Sequence, residues 1–352
     1  MNKVGIILIN YKDYADKFLD ECAKSLRLMN FPAGEVSFIV VDNLGDESTE
    51  KTIKNLFPEC VYVQSEKNGF GVGNNIGIAK AKELNCDFYY LLNMDTEVDP
   101  NFLTDAIDIY KSDKKAGLVQ SRLMLHPEKD KINSIGNCMH YLGFGYSNGG
   151  FIKEFKSKKS SFEIAYSSGA GLLISKEMHQ VIGDFTEEFF MYHDDMEWGM
   201  KSRLYGYKNL LACNSVVYHK YEFGRSKQNF YWMERNRIIL WLMTLRIGTL
   251  ILIAPMFFLM EFGMLFFSLM NGWNKEKLKS YKWFFEKGNW SKVKQWRLEV
   301  QRKRIISDRK LSKWFVSEIN FQEKAVSNPL LQYFGNPLMA IYWYVIKLFI
   351  IW

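Results

Sequence analysis

The sequence predicts an α/β fold built on a doubly wound, mainly parallel sheet, followed by a helical C-terminal region. Three observations lead there. Apolar, strand-like runs alternate with stretches of helical spacing roughly ten to twenty residues long. The runs "VGIILIN" and "SFIVVD" are apolar throughout, the pattern of strands covered on both faces. From Ile238 the alternation stops, and an apolar stretch to Met270 leads into a basic block.

The elements follow in order. Val4–Asn10 is the first strand, and Tyr14–Met29 has helical spacing. Ser37–Asp42 is a strand, Ser48–Phe57 a helix and Val61–Ser65 a strand. A glycine-rich turn, "NGFGVGNNIG" (Asn68–Gly77), opens a helix over Asn74–Leu84. Asp87–Leu92 is a strand, Pro100–Lys111 a helix with proline in its first turn, and Gly117–Leu125 a further strand. "MNKVGIILIN" is too short in its apolar run for a secretory leader and is expected to be the first strand.

Composition bounds the chemistry. With 48% hydrophobic and 24% charged residues, the 352-residue chain can build a large core, and wholesale disorder is excluded. The five cysteines, Cys22, Cys60, Cys86, Cys138 and Cys213, are odd in number and show no CxxC spacing. A disulfide framework and a zinc site are therefore not expected, which fits a reducing compartment.

In doubly wound sheets ligands bind off the carboxyl ends of the strands. Here each of the first four strands runs into polar residues on that edge: Asn10, Asp42, Glu66 with Asn68, and Asn93 with Asp95. Any one of them could be only a turn or a helix cap. A dinucleotide-binding domain would carry G-x-G-x-x-G directly after the first strand. That strand instead ends in "INYKDY", and the glycine cluster follows the third strand with the wrong spacing.

The sharpest pattern lies over residues 167–219, "SSGAGLLISKEMHQVIGDFTEEFFMYHDDMEWGMKSRLYGYKNLLACNSVVYH". With "VDN" and "NMDTEVDP", this stretch closely resembles family-2 inverting glycosyltransferases of the GT-A fold, above all the rhamnosyltransferase-like branch. The segments that carry the resemblance are "GAGLLIS", "GDFTEEFF", the acidic "DDME" (Asp194–Glu197), "RLYGY" and "VVYH", and it covers about residues 3–240. Two positions depart from the pattern: Thr186 stands where the family usually has Asp, and Asp194 replaces the usual Glu.

Inverting glycosyl transfer is a single displacement at the anomeric carbon. It needs one carboxylate to take the acceptor's proton and positive charge on the departing nucleoside diphosphate. It needs no second carboxylate as nucleophile. The resemblance places the base at Asp195, beside Asp194, and a metal ligand at Asp95, with Asn93 in the first position of a D-x-D-like motif. The implied cofactor is a divalent metal, Mg²⁺ or Mn²⁺; Mg²⁺ suits a site with few carboxylates, because it keeps waters and leans on phosphate oxygens. Asp42 is implied to hold the nucleotide base. Asn10, Glu66 and Asn68 are expected to line the same pocket, with Gly69 and Gly71 admitting the backbone to it. His219 is a second candidate metal or phosphate ligand, and also a candidate structural histidine. Arg225, Arg235 and Asn236 could reach the diphosphate or only pack. "HDDME" on its own would also suit a helix start, where acid complements the dipole. Asp194 and Glu197, at i and i+3, are expected to orient neighbours, and Glu197 with Lys201 to form an ordinary surface pair.

Beyond this region, Asn274–Lys313 holds 14 Lys or Arg against 4 Asp or Glu, a local +10 in a chain of formal charge +7. Trp273, Trp283, Trp290 and Trp296 are interleaved with it, and "LMAIYWYVIKLFIIW" (Leu338–Trp352) closes the chain. Apolar helices followed by Lys, Arg and Trp describe a chain lying in a membrane interface; the alternatives are a span through the run to Met270 and a helical domain that packs on the catalytic one or forms an oligomer. Nucleic acid is not an expected partner, because the adjoining stretch is apolar. The sequence thus points to a catalytic domain over residues 1–236 and a membrane-associating region over 237–352, on the cytoplasmic face, peripheral or monotopic. The expected reaction moves a sugar, rhamnose by the branch resembled, from a dTDP- or UDP-linked donor to a polyprenyl-linked or envelope-glycan acceptor. The competing reading is a catalytically silent module that binds nucleotide sugars or scaffolds glycan assembly.

Overall fold

In the computed structural model, residues 1–149, 157–221, 226–320 and 329–352 are described. The chain forms two units. The first comprises Met1–Asn137, Ser147–Ser202 and Tyr207–Glu222; the second comprises Cys138–Tyr146, Arg203–Gly206 and Phe223–Trp352.

The first unit is organised by strand β1 (Asn2–Tyr11), which lies between β2 (Gly34–Asn43) and a later strand. A π-helical turn, Ala15–Leu19, runs into α1 (Asp20–Arg27) before β2, and α2 (Glu47–Leu56), β3 (Val61–Ser65) and α3 (Phe70–Glu83) follow. Next come β4 (Phe88–Asn93), β5 (Thr96–Val98), α4 (Phe102–Ser112), β6 (Ala116–Leu125) and β7 (Ile132–Ser134). Strands β8 (Asn137–His140) and β9 (Gly145–Ser147) form a small sheet apart from the main one. The main sheet is completed by β10 (Ser161–Glu163), β11 (Gly171–Ser175) and, after α5 (Lys176–Ile182) and α6 (Asp194–Leu204), by β12 (Lys208–His219).

The strand order is β10-β12-β6-β11-β4-β1-β2-β3. The predicted α/β fold is present. β3, β2, β1 and β4 are parallel, as are β6 and β12, while β11 runs antiparallel between β4 and β6. The order reverses at β1, which has β2 on one side and β4 on the other, so the ligand crevice is expected at the carboxyl end of β1. Register settles what meets there: Asn10 pairs with Asp42, and Ile9 with Asn93. One face of the sheet buries Ile6, Leu8, Val40, Tyr90 and Leu92 with Cys22 and Leu26 of α1 and Phe102 and Leu103 of α4.

The glycine-rich segment is not a turn. Helix α3 starts at Phe70, so Gly71, Gly73 and Gly77 lie inside it. A Cβ on Gly77 would sit 2.3 Å from Ile7 Cγ2, and one on Gly73 3.0 Å from Ile9 Cδ1. Glycine costs a helix about 1 kcal/mol relative to alanine. That cost is accepted because bare backbone lets α3 lie directly on the sheet.

The second unit is mainly helical. It holds α7 (Asn229–Thr244), α8 (Ile247–Asn271), α9 (Asn274–Phe285), α10 (Asn289–Lys303), the short α11 (Asp308–Leu311), strand β13 (Phe315–Val316) beside β8, and α12 (Asn336–Phe349). Helix α8 ends on Gly272 in the left-handed region, which closes its last turn. Its 25 residues are long and apolar enough to cross a membrane by length and composition. Yet α8 has two distinct faces. Thr249, Ile253, Met256, Glu261 and Ser268 are buried, whereas Ile251, Phe258, Leu259, Phe262, Phe266 and Leu269 are exposed. Helix α12 repeats the pattern, burying Met339, Trp343 and Ile346 and exposing Leu338, Ile341, Tyr344, Val345 and Leu348. Helix α12 and the residues after it are tied to α8 by Tyr342 Oη donating to Leu252 O at 2.8 Å and Trp352 Nε1 donating to Thr249 Oγ1 at 2.9 Å.

Glu261, the acid inside the apolar run, enters a closed ion network. Arg237 and Lys277 each contact both Glu234 and Glu261, and Tyr281 Oη donates to Glu261 at 2.6 Å. Two cations face two anions, so the network is neutral, as a buried charge cluster must nearly be. The basic block is therefore only partly surface: Lys277 is fully buried, and Arg297 donates to Leu245 O at 2.7 Å. Trp273 and Trp283, expected among the interfacial tryptophans, are core residues at 2% and 4% exposure, while Trp290 is 48% exposed.

Candidate functional site

The carboxyl edge of the first unit's sheet gathers most of the polar residues singled out in the sequence. Asn10 and Asp42, adjacent in register, are both fully buried. Asn10 Nδ2 donates to Asp42 Oδ1 at 2.7 Å, and Asn10 Oδ1 accepts from Ala15 N at 2.8 Å. Asp42 Oδ2 accepts from Tyr62 Oη at 2.9 Å. Burial and the neighbouring Asp42 carboxylate push the Tyr62 phenol well above its ordinary value. The backbone of Gly45 crosses so near the Asp42 carboxylate that a Cβ there would overlap it.

Asn43, which the sequence reading passed over, is 3% exposed; its Nδ2 donates to Gly69 O at 3.1 Å. Its Oδ1 is buried without a hydrogen-bond partner, an uncommon state for a side-chain amide. Its position in "VDN" was the available signal. Asn68 Oδ1 accepts from Gly69 N at 2.8 Å, and Gly69 has a φ of 130°, which only glycine adopts freely. Glu66 is exposed on the loop after β3.

A second group lies where β4 and β12 end. His219 is 6% exposed. Its Nδ1 lies 3.1 Å from Asn133 Oδ1, which can only accept, so Nδ1 donates there. Nε2 lies 3.4 Å from Asp95 Oδ1 and 3.5 Å from Asn93 Nδ2. Asp95 Oδ1 is buried and accepts no hydrogen bond. At that separation the ring nitrogen and the carboxylate oxygen converge on one point, where a proton or a cation can be shared. Among the described residues no group of three or more His, Cys, Asp or Glu is arranged to hold a metal ion. Asp95 and His219 thus offer two ligands, with the Asn93 amide alongside. That set fits a cation completing its shell from phosphate and water, and the Asn133 hydrogen bond fixes the ring as outer partners of metal-ligating histidines do.

The third group is the start of α6. Phe190, Tyr192 and His193 all have positive φ, 65°, 65° and 68°, each a costly state for a bulky side chain. The chain leaves this segment directly into Asp194 and Asp195. Asp195 is half-buried, and burial raises its carboxyl from 3.8 to about 6, opposed by hydrogen bonds from the Met196 and Gly169 amides. Met196 N donates to Asp195 Oδ1 at 2.8 Å. The next residue, Ala170, accepts from Asn93 N at 3.3 Å. The peptide 169–170 thereby ties Asp195 to the strand end that carries Asn93. Asp194 is 2% exposed, and a Cβ on Gly71 would come 2.9 Å from its Oδ1. Asp194 therefore sits against the first turn of α3, whose N-terminal dipole favours an anion.

Glu197 and Lys201 are not a surface pair. The Glu197 side chain is fully buried and that of Lys201 is 10% exposed, with 2.7 Å between them. Thr186 donates twice to Glu197, from Oγ1 at 2.5 Å and from its amide at 3.1 Å. The departure at 186 thus has a local reason: a hydroxyl donates where a second carboxylate would repel. The "GDF" segment is held from two sides. Asn75 exchanges hydrogen bonds with the Phe185 backbone at 2.9 and 3.0 Å, and the Phe185 ring stacks on Trp198 at 3.7 Å.

Arg235 and Asn236 belong to the second unit, where Arg235 Nη2 donates to Asn236 Oδ1 at 2.9 Å and stacks over Trp232 at 4.6 Å. Arg225 lies outside the described residues.

A mixed sheet with polar side chains collected on one edge, a strained loop and an acidic helix start together describe the GT-A fold. The chain shares that fold with GalNAc-T7, solved with UDP, GalNAc and Mn²⁺, at 15% identity and a TM-score of 0.56, over 84% of this chain and 58% of that one. It shares it also with residues 1–349 of S. aureus TarS in complex with UDP-GlcNAc, at 17% identity and a TM-score of 0.51, over 98% of this chain and 90% of that one. Residues 5–183, just over half of the chain, match the profile of glycosyl transferase family 2, and the chain belongs to that family. A curated relative, the low-salt glycan biosynthesis hexosyltransferase Agl10 of Haloferax volcanii, is 24% identical over 206 residues. That match spans 58% of this chain and 62% of the relative.

Proposed function

We propose that the protein is a glycosyltransferase that moves a hexose, with inversion, from a nucleoside-diphosphate sugar to a lipid-linked or envelope-glycan acceptor. Asp195 is the general base. The observation that carries this reading is its carboxyl: desolvation raises it to about 6, near the operating pH, where a base is most effective. It is also tied through residues 169–170 to the strand end carrying Asn93. Below about pH 6 Asp195 is protonated and cannot take the acceptor's proton, so transfer should rise through that pH.

Asp42 and Asn43, with Asn10 holding Asp42 in place, are proposed to receive the nucleoside. Asp95 and His219, with Asn93, would hold a divalent cation, Mg²⁺ or Mn²⁺, which supplies positive charge to the departing diphosphate. Asp194 and Glu197 position the start of α6. Structures of the same fold solved with UDP or UDP-GlcNAc support a UDP-linked donor; a dTDP-linked donor and rhamnose are suggested by the branch the motifs resemble. Membrane attachment on the cytoplasmic face, peripheral or monotopic, is supported by the exposed faces of α8 and α12. A helix crossing alone would present Glu261 to lipid at high cost, whereas here Glu261 is neutralised inside the unit.

The test is a donor screen of UDP- and dTDP-hexoses with membrane extract as acceptor, run with and without Mn²⁺. The expected result is metal-stimulated transfer that Asp195→Asn abolishes while nucleotide still binds. Nucleotide-sugar binding with neither transfer nor donor hydrolysis would instead establish a silent module.

A further inference from the structure

The second unit contains a cavity of about 440 Å³ between the first turns of α7 and α9, lined by Gln228, Tyr231, Trp232, Lys275, Glu276 and Lys279. Its walls are aromatic and its rim is cationic. Tyr231 and Trp232 meet edge to face at 4.7 Å. Beneath them Arg235, 2% exposed, lies 4.6 Å from the Trp232 ring centre and 5.3 Å from that of Tyr231. Lys275 and Lys279, one helical turn apart on α9, are exposed, and the Lys279 ammonium sits over the Tyr231 ring at 4.5 Å. Lys227 reaches the turn between α8 and α9, 3.0 Å from where a Gly272 Cβ would stand. Neither Lys227, Lys275 nor Lys279 makes an ion pair among the described residues. Against these cations stands the single carboxylate of Glu276.

The same turn adjoins exposed apolar surface. Phe266, Leu269 and Met270, on the last turns of α8, are 57–73% exposed. A positive, aromatic-walled cavity therefore adjoins the turn into which the uncovered apolar end of α8 runs. We infer that this cavity holds the phosphate headgroup of an anionic amphiphile whose apolar chain runs along the C-terminal end of α8. Unpaired ammonium groups select phosphate charge, Tyr231 and Trp232 give an amphipathic wall at headgroup depth, and the α8 strip removes the chain from water. In its isoprenyl form this inference rests on the proposed lipid-linked acceptor, whereas in its bilayer form it shares with that reading only the presence of a membrane; neither form needs a statement about the sugar-transfer site.

The ligand chemistry, a phosphate ester on a long apolar chain, has two sources: a bilayer phospholipid or an isoprenyl phosphate. The experiment titrates the full chain with farnesyl phosphate, with phosphatidylglycerol vesicles and with inorganic phosphate, reading tryptophan fluorescence. Saturable binding of at least one of the two amphiphiles is expected, with inorganic phosphate at least about tenfold weaker because it offers no chain to bury. Preference for farnesyl phosphate would assign the site to an isoprenyl-linked molecule, and preference for the vesicles to bilayer lipid. K275E/K279E should weaken binding about tenfold or more, whereas K294E/K310E, an equal charge change on exposed positions elsewhere in the unit, should change it less than threefold. Both variants should keep wild-type nucleotide-sugar binding, which separates failure of this site from failure of the catalytic reading. Equal weakening by the two variants would overturn the site in favour of diffuse surface charge. Inorganic phosphate binding as tightly as the amphiphiles, or no amphiphile binding at all, would overturn it as well.

Discussion

The two units break the usual rules of a folded surface in opposite ways. In the first unit the irregularity is polar and lies in the backbone. Six non-glycine residues at its loops, Lys12, Leu44, Asn85, Phe190, Tyr192 and His193, have positive φ, and Asn10, Asp42, Asn43 and Asp194 are buried at the ends of elements. In the second unit the backbone is regular and the irregularity is apolar. Apart from Met1, Leu28 and Leu44, every exposed large hydrophobic residue among those described belongs to it. Strained, buried polar edges suit a small charged ligand that needs fixed geometry. Exposed apolar helix faces suit a fluid, extended partner that needs area and little geometry. The contrast therefore teaches where to look for chemistry and where for attachment.

If that division is right, substitutions at the edge should change chemistry and leave lipid binding alone, and substitutions on α8 should do the reverse. The largest effect is expected from Asp195→Asn. Transfer should fall by roughly 10²–10⁴-fold, the usual worth of a general base, with nucleotide affinity and vesicle binding unchanged; activity within about tenfold of wild type would remove Asp195 as base. The same variant carries a stability signature. The folded-state pKa of Asp195 lies above its ordinary value, so its contribution is fully present below pH 4 and is lost as pH rises through about 6. Asp195→Asn should thus be more stable than wild type above pH 7, by on the order of 1–3 kcal/mol, and no more stable near pH 4. Thermal melts at the two pH values check this.

Next in size is F262S/F266S on the exposed face of α8. Each Phe is worth about 1.5–3 kcal/mol when buried, so vesicle binding should weaken by about 10²-fold or more, while turnover of a soluble acceptor stays intact. Co-sedimentation with anionic vesicles measures the first and a coupled assay the second. Asp95→Ala should cost metal-assisted nucleotide affinity by roughly 10–100-fold, read by calorimetry with and without Mn²⁺; unchanged metal assistance would reduce Asp95 to the cap of a strand end. The smallest effect is expected at Thr186. Thr186→Val removes one hydroxyl donor to buried Glu197 and should cost about 1–3 kcal/mol of stability with nucleotide affinity kept, whereas Thr186→Asp, which sets a second carboxylate against Glu197, should cost more.

Much of the edge was legible in the sequence. Asn10, Asp42, Asn93 and Asp95 end apolar runs, and a parallel sheet brings such ends to one side whatever the loops do. The stretch 167–219 carried the fold through the order of its segments. Other features were hidden because they depend on partners far along the chain. "NGFGVGNNIG" reads as a turn by local propensity, and only contact with Ile7 and Ile9 makes its glycines helical. Glu197 and Lys201 have the spacing of a surface pair, and only Thr186, eleven residues upstream, shows that the pair is internal. Trp273 and Trp283 look interfacial beside their lysines but fill the second unit's core.

By itself, then, the sequence determined the α/β class, the parallel strands around β1 and the side of the sheet on which polar residues gather. Those follow from local hydrophobic period and from strand direction, which short stretches encode. Tertiary structure alone decided that β11 runs antiparallel between β4 and β6, that Cys138–Tyr146 and Arg203–Gly206 join the helical unit, and that Glu261 lies in a neutral buried network. The physical reason is the same in each case. Pairing direction, core membership and the neutralisation of a buried charge are properties of contacts between residues distant in the chain, and no local pattern carries them.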